Sequence, residues 1–436
     1  MKNSIHDKIV EYCNNKDIYF WSCKSSYEKR AENYFIFGQP ESNRYGEFEK
    51  HTVYIWIINK DNDKKYIGNA TVSISENSDD NEIEDKIDKA ILAASLVKNP
   101  FFEIPKEKFD YSSFSNEDSL IKENPIKAIQ KLSSIVIDKS KKFNDVKLST
   151  TEIFVSHISE NFTNSSGNKF SYCKTKILLE GVFLTGNNLE TESFFTKQSV
   201  FIDDLDLDNL LETQAQYARD SVNAQTLKTG KYNVVFSNEA LSSFFDFYFT
   251  HADAMAVFNR FSLLKQGEKI SEKLGEQNFT LKVDPFVKGG IYSNISDEYG
   301  IPLKPFTVIE NNILKQYIAS LSYSQYLNIK YTGPATNFVI EKGNKSLAQL
   351  TSTEGTILLL RFSAFSPKSI TGDFSSEIRL GYITKNGKKI PIKGGSVSGN
   401  IRNLIQSLKL SDNIVKIDNY VGPDGIYLEG VDIAGD

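Results

Sequence analysis

Apolar positions change their period several times along the first half of the chain. Ile5, Ile9 and Tyr12 recur at helical spacing, and residues 18–23, Ile-Tyr-Phe-Trp-Ser-Cys, then read as an aromatic-rich strand. Two further strand runs, 52–58 and 65–75, are separated by the polar residues 59–64, which predicts a hairpin connection. The clearest helix is predicted over residues 80–99. It has Ile83, Ile87, Ile91 and Ala94 on one face, acidic residues in its first turn, and Pro100 to close it. Asn124-Pro125 predicts another start, a cap residue followed by proline at the first helical position, with Ile129, Leu132 and Val136 pointing inward. Both helices are expected to cover one face of a sheet. Strand runs return at 152–158, 169–185 and 192–201. A helix then follows, with Asp206 and Asp208 as candidate caps and Leu211, Ala215, Ala218 and Val222 on its core side.

A glycine-centred turn within residues 226–231 separates that helix from a new strand, 232–236, and places a domain boundary near Thr229. The expected domains are an N-terminal α+β unit, 1–228, and a β-rich unit, 229–436, that begins with a long helix. Ser237 is its candidate N-cap, and Leu241, Phe244, Phe245 and Tyr248 form a wide apolar stripe. Asn386-Gly387 between two strand runs predicts a type I′ hairpin, and Glu310-Asn-Asn-Ile313 a weaker one. A short helix is expected over 400–408. The fold class is therefore α+β, with a mostly antiparallel, open or barrel-like second domain.

Composition fits a folded chain, because 40% hydrophobic and 25% charged residues leave enough apolar content for sizeable cores. No apolar signal core and no apolar run of spanning length is present, so the expectation is a cytoplasmic protein away from the membrane. Cys13, Cys23 and Cys173 form no CxxC pair, which encodes neither a disulfide framework nor a zinc knuckle. A net charge of −5 argues against nucleic acid held through phosphate contacts.

Candidate chemistry centres on residues 244–269, FFDFYFTHADAMAVFNRFSLLKQGEK, where His251 is the only histidine of the second half. Asp246 is five residues away and Asp253 two, so neither stacks on the imidazole as an i, i+4 partner would. The bland reading, a hydrogen-bonded packing histidine, is favoured over a metal ligand. His6, His51 and His157 are scattered in sequence, and nothing in their spacing points to zinc. Lys288-Gly-Gly290 and Lys393-Gly-Gly395 lack the spacing of a phosphate loop and read as turns. Thr371-Gly-Asp-Phe-Ser375 would present Asp373 toward a cleft, with a side-chain-stabilised turn as the equal alternative.

Several segments, in order and spacing, resemble the TldD/PmbA family, also called modulators of DNA gyrase or TldD/TldE peptidases. They are Lys228-Thr-Gly-Lys-Tyr-Asn-Val-Val-Phe236, Ser262-Leu-Leu-Lys-Gln-Gly-Glu268, Asp284-Pro285 with Asp297-Glu-Tyr-Gly-Ile-Pro302, Thr332-Gly-Pro-Ala-Thr-Asn337 with Glu341-Lys-Gly343, the Thr371 segment, and Ile390-Pro-Ile-Lys-Gly-Gly-Ser-Val-Ser-Gly-Asn400. The resemblance covers nearly the whole chain. It implies that zinc-bearing TldD-type subunits carry HExxxH and a late cysteine, while the PmbA (TldE) type lacks them and pairs with a TldD-type subunit. Here, with His251 as first ligand, Ala252 and Ala256 replace the glutamate and second histidine. With His251 as second ligand, Asp246 and Phe247 stand in the first two places. The last cysteine is Cys173.

The resemblance thus implies a non-metal subunit that helps hold an extended peptide, with no zinc in this chain and zinc expected in a TldD-type partner. Asp246, His251, Asp253, Arg260 and Asp373 are the candidate cleft or interface residues. A homodimeric, non-catalytic peptide-binding or scaffold protein is the alternative. Last comes a peptidase with an unusual metal site built from His251 and nearby carboxylates, which would lack a general base beside its first ligand.

Overall fold

In the computed structural model, which describes residues 4–186, 191–271 and 277–436, Ser4 starts the first helix with a reciprocal capping box to Asp7. Helix α1 (Ile5–Asn14) is followed by the antiparallel strands β1 (Phe20–Ile36), β2 (Gln39–Asp61) and β3 (Lys64–Ser75). The strand runs expected at 18–23 and 52–58 are the apolar ends of a far longer pair. Residues 24–50 are mostly polar, and register holds them extended on both sides of the Phe37-Gly38 turn, with Tyr27 opposite Glu49 and Glu28 opposite Phe48. Helix α2 (Asp80–Ser95) stops short of residue 99, because Asn99–Pro100 leaves the helix to pair with β3 as the two-residue strand β4. The short α3 (Ser119–Glu123) leads into α4 (Pro125–Ser140), which starts as its sequence predicts: the Asn124 side chain accepts from the amides of Ile126 and Lys127. Strands β5 (Val146–Asn164), β6 (Lys169–Thr185) and β7 (Thr191–Ser199) complete a sheet of order β4-β3-β2-β1-β5-β6-β7. In α5 (Leu207–Val222), Leu211, Ala215 and Ala218 are buried, but Val222 in the last turn is exposed. Asp206 occupies the cap position at φ 43° without a side-chain cap bond, and Asp208 pairs instead with Lys139 of α4.

Alternation along the long strands divides this sheet into two faces. Odd-numbered residues of β1 and β2 (Trp21, Cys23, Ala31, Phe35, Val53, Ile55) pack under α1, α2, α4 and α5, so the helices do lie on one face. Phe20 and Trp56, with the opposite parity, pack against Tyr299 of the second half.

The second half opens with β8 (Gly230–Phe236), which runs into α6 (Leu241–Phe244), α7 (Asp246–His251) and α8 (Ala254–Phe258). The single long helix expected here is broken into three pieces. Phe244, Phe245, Phe247 and Tyr248 are all fully buried, so the segment is surrounded by core instead of resting one stripe on it. Between α7 and α8 the chain straightens, since Ile318 donates to the Ala252 carbonyl at 2.8 Å and accepts from the Ala254 amide at 2.9 Å. Ser237 caps nothing; its hydroxyl donates to the Asp424 carbonyl.

Next come β9 (Leu281–Asp284), β10 (Phe306–Glu310), β11 (Ile313–Leu314), α9 (Leu321–Tyr326), β12 (Asn337–Ile340), α10 (Leu347–Leu350) and β13 (Ile357–Phe362). They are followed by β14 (Asp373–Lys385), β15 (Lys388–Ile392), β16 (Ser396–Asn400), α11 (Ile401–Leu404), β17 (Lys409–Leu410), β18 (Ile414–Ile417), β19 (Tyr420–Pro423) and β20 (Ile426–Ala434). Strands β13, β8, β20, β16 and β14 close on themselves through the β13–β14 pairing, giving a small barrel. A second sheet runs β11-β10-β9-β12-β19-β18. Both predicted hairpins are present with left-handed turn residues, Asn311 (φ 49°) with Asn312 (φ 67°) and Asn386 (φ 51°) with Gly387 (φ 71°). Phe236, Phe245, Tyr248, Phe279 and Tyr420 fill the space where barrel, broken helix and second sheet meet. No helix among the described residues is long and apolar enough to cross a membrane.

Candidate functional site

The broken helix delivers His251 to the end of α7, where it is fully buried, its ring 4.2 Å from that of Phe247. Two loops close on the imidazole. Nε2 lies 2.8 Å from the Ile370 carbonyl oxygen and so carries the proton, while Nδ1 accepts from the Leu263 amide at 3.1 Å. Both nitrogens are thereby committed, and the ring is neutral, because burial lowers its pKa further than the Ile370 bond raises it. The nearby charge acting on it is that of Arg402, which also disfavours the imidazolium form. A metal ion could bind only by displacing the Leu263 amide from Nδ1, leaving that N–H to find another acceptor.

Of the residues expected beside His251, the structure joins it to the loop that carries Asp373. Ile370 belongs to that loop, Gly372 packs against Phe247, and Asn400 holds the far side by donating to the Thr371 carbonyl at 2.9 Å and to the Asp373 carboxylate at 2.8 Å. Asp373 itself is exposed, and the Asn400 bond lowers its pKa. The turn reading of this motif thus describes its geometry. Asp253 is spent as the cap of α8, accepting from the Met255 amide at 2.7 Å. Burial raises the pKa of Asp253, and raises that of Asp246 to about 6. Arg260 is exposed and sits at φ 64°. No hydrogen bond or ion pair among the described residues brings these carboxylates onto His251.

A cleft between the two halves gathers groups that stand far apart in the sequence. Lys24, Tyr54, Glu160, Phe162 and Phe170 from the helix-free face of the first sheet meet Asn294, Ser296, Asp297, Glu298 and Pro334 around a cavity of about 210 Å³. Asp297 is nearly buried and accepts from the amides of Tyr299 (3.0 Å) and Ile301 (2.8 Å) and from the Tyr331 hydroxyl (2.8 Å). Burial, then the neighbouring Glu298, pushes its pKa up to about 7. Glu160 goes the other way. Burial alone would raise it, but Lys174 at 3.3 Å and Lys24 at 2.7 Å outweigh burial and hold it ionised. The cleft therefore offers one ionised carboxylate, Glu160, and two carboxyl groups that burial makes easier to protonate, Asp297 and Glu298, beside the aromatic side chains of Tyr54, Phe162 and Phe170. The Asp297-Glu298 pair is visible in the sequence, but Glu160 lies on a different sheet, and only the pairing of the halves brings them together.

A second groove between the two halves, of about 310 Å³, is lined by Lys197, Lys416 and Arg361, whose guanidinium is engaged by Glu239 and Gln214. It is the more basic of the two clefts.

With this geometry in hand, comparison with known proteins identifies the relatives. The family described as PmbA/TldA metallopeptidase C-terminal domain matches residues 229–435. Residues 229–435 thus belong to the TldD/PmbA family. It is similar to an uncharacterised protein of Methanocaldococcus jannaschii, 25% identical over 53% of this chain and 57% of that protein. It is also similar to a protein named metalloprotease PmbA homolog in Buchnera aphidicola, 23% identical over 63% of this chain and 62% of that one. The matched regions thus span about 60% of each of these two relatives. The fold is shared with TldE from Thermococcus kodakarensis, at a TM-score of 0.82 and 18% identity over 98% of this chain and 100% of that one.

Family membership makes zinc the ion to test against the broken helix, and the residues do not fit it. In one register of HExxxH the ligand and base positions fall on Ala252 and Ala256, both buried in apolar surroundings. In the other they fall on Asp246 and the fully buried Phe247. The end of the chain supplies no thiol: Tyr420, Val421 and Pro423 of β19 are buried, with the Tyr420 hydroxyl donating to the Pro423 carbonyl at 2.8 Å.

Proposed function

We propose that this chain is the TldE-type subunit of a TldD/PmbA peptidase, without a catalytic metal of its own, working in the cytoplasm beside a zinc-bearing TldD-type subunit on extended peptides. The observation that carries this reading is the commitment of both His251 ring nitrogens to backbone groups, which removes the one imidazole the second half could offer to a catalytic ion. The surface around that histidine supports a partner role. Met255, Phe258, Leu263 and Ile370, all on α8 or on the two loops that clamp His251, are exposed apolar side chains of the kind a partner subunit would cover. The clefts between the halves offer features an extended chain could use, aromatic walls in the one beside Asp297 and flanking charges in both.

The test is reconstitution. The purified chain, a TldD-type subunit, and their mixture are each given an unfolded polypeptide, and cleavage is followed by mass spectrometry. The expected result is no cleavage by this chain alone and cleavage by the mixture above that of the TldD-type subunit alone. Peptide cleavage by the isolated chain would overturn the proposal.

A further inference from the structure

A second group of histidines lies far from His251, on the helix-covered face of the first sheet. Cys23 and Ser25 are two residues apart on β1 and so point the same way, and His51 on β2 is the register partner of Ser25. Helix α1 lays His6 over them. The two imidazoles converge through the same ring atom: His6 Nδ1 and His51 Nδ1 each lie 2.7 Å from Ser25 Oγ. Cys23 Sγ stands 3.8 Å from both His6 Nδ1 and Ser25 Oγ. The donor atoms of His6, Cys23 and His51 all fall within 4.8 Å of one another. Cys23 and His51 are fully buried.

The outward sides of the rings carry the second half of the argument. A ligating imidazole donates its other N–H to an oxygen that fixes its tautomer. His6 Nε2 meets Thr163 Oγ1 at 3.1 Å, and His51 Nε2 faces the Glu49 carboxylate at 3.5 Å. His51 Nε2 is buried, makes no hydrogen bond, and has the Glu49 carboxylate as the acceptor its proton faces. A proton on Nε2, directed at Glu49, frees Nδ1 as an electron-pair donor toward the centre. Tetrahedral zinc with Zn–N of about 2.0 Å and Zn–S of about 2.3 Å separates a nitrogen and a sulfur ligand by roughly 3.5 Å, close to the 3.8 Å between His6 Nδ1 and Cys23 Sγ, whereas the 2.7 Å contacts to Ser25 Oγ are hydrogen-bond lengths that open to roughly 3.3 Å when Ser25 ligates.

We infer that His6 Nδ1, Cys23 Sγ and His51 Nδ1 form a structural site for a zinc-class ion, with Ser25 Oγ at the fourth position, fastening α1 to β1 and β2. The donor set, two imidazoles and a thiol, is of the borderline-soft kind that selects zinc over magnesium or calcium. Burial assigns it a structural role, since a catalytic ion keeps an open position for substrate. The remaining histidine cluster lacks these features. There Glu117 is already engaged by both His157 Nε2, at 2.8 Å, and Lys122, at 3.0 Å, so its carboxylate is neutralised by the protein, and Glu117, His157 and Cys173 are only partly buried. This site is independent of the proposed function, which concerns a catalytic ion in the other half; the expectation of a chain without zinc then applies to that half alone.

The experiment is cobalt titration of the full-length chain after chelator treatment, read by absorbance, with circular dichroism to verify folding. Expected are saturation at about one ion per chain, a near-ultraviolet thiolate-to-cobalt band, and displacement by zinc. Cys23→Ser removes the band, His51→Gln weakens binding by roughly tenfold or more, and Cys173→Ser changes neither. A folded chain that takes up no cobalt, or a band that survives Cys23→Ser, overturns the inference. Peptidase activity plays no part in this readout, so its outcome is separate from that of the reconstitution.

Discussion

His251 and Ile370, 119 positions apart, are joined by a 2.8 Å hydrogen bond from the buried imidazole to the carbonyl of the loop that carries Asp373. Together with the Leu263 amide on Nδ1, it makes the imidazole a strut between α7 and two loops. His251→Ala removes both bonds and leaves a part-buried amide and carbonyl to be satisfied elsewhere. The expected loss is about 1–3 kcal/mol of stability, read by urea denaturation, with the turnover of the assembled complex unchanged. A large fall in turnover with stability preserved would return His251 to the chemistry.

The strut also explains which parts of this region could be read from the sequence. Local chemistry announced itself: Asn386-Gly387 names its own turn, and Asn124-Pro125 its own helix start. The break between α7 and α8 did not, because the residue that imposes it, Ile318, lies in another part of the chain. Over the middle of β1 and β2, charged and polar residues interrupt the apolar alternation, and only pairing shows the whole stretch to be strand. In the same way Cys23 and His51 look unrelated until register sets Ser25 opposite His51, and Glu160 meets Asp297 only when the halves dock. The fold class rested on periodicity and was legible; the sites rest on pairings between distant segments and were not.

Asp297 gives the interdomain cleft a pH signature. Its folded-state pKa, about 7, lies above the ordinary 3.8, so the folded protein binds this proton more tightly than the unfolded chain. The associated stability is fully present below pH 3.8 and is lost as pH rises through 7. In Asp297→Asn, which keeps an oxygen for the Tyr299 and Ile301 amides, that loss is absent. Between pH 4 and about 7.5, wild type should therefore lose stability relative to the variant by up to a few kcal/mol, since each tenfold difference in proton affinity corresponds to roughly 1.4 kcal/mol. Parallel stability curves for the two proteins over that range would refute the assignment.

Asn116 clasps the two halves. Its Oδ1 accepts from the Gly289 amide at 2.8 Å, its Nδ2 donates to the Gly290 carbonyl at 2.9 Å, and the side chain is almost completely buried. The glycines permit the grip: Gly289 sits at φ 75°, and a Cβ on Gly290 would come within 2.7 Å of Asn337 Oδ1. Asn116→Ala should cost about 1–3 kcal/mol and loosen the halves, seen in calorimetry as a lower and broader transition. An unchanged endotherm would mean that the clasp contributes nothing beyond the aromatic contacts around Tyr299.

Leu263 and Ile370 present their side chains to solvent, 51% and 53% exposed, while their backbones grip His251. Because the grip uses only main-chain atoms, the side chains can be changed without dismantling it. Leu263→Asp and Ile370→Asp should leave the melting temperature of the isolated chain within about 2 °C of wild type, since exposed substitutions of this kind cost roughly 0.5 kcal/mol or less. If this apolar surface receives the TldD-type subunit, a buried carboxylate there would weaken association by at least about tenfold, measured by sedimentation or calorimetric titration. Association at wild-type strength in both variants would move the subunit interface elsewhere on the molecule. The same two variants also separate packing from partnership: a change at this surface that lowers association but not stability assigns it to a partner, and one that lowers stability alone assigns it to the fold.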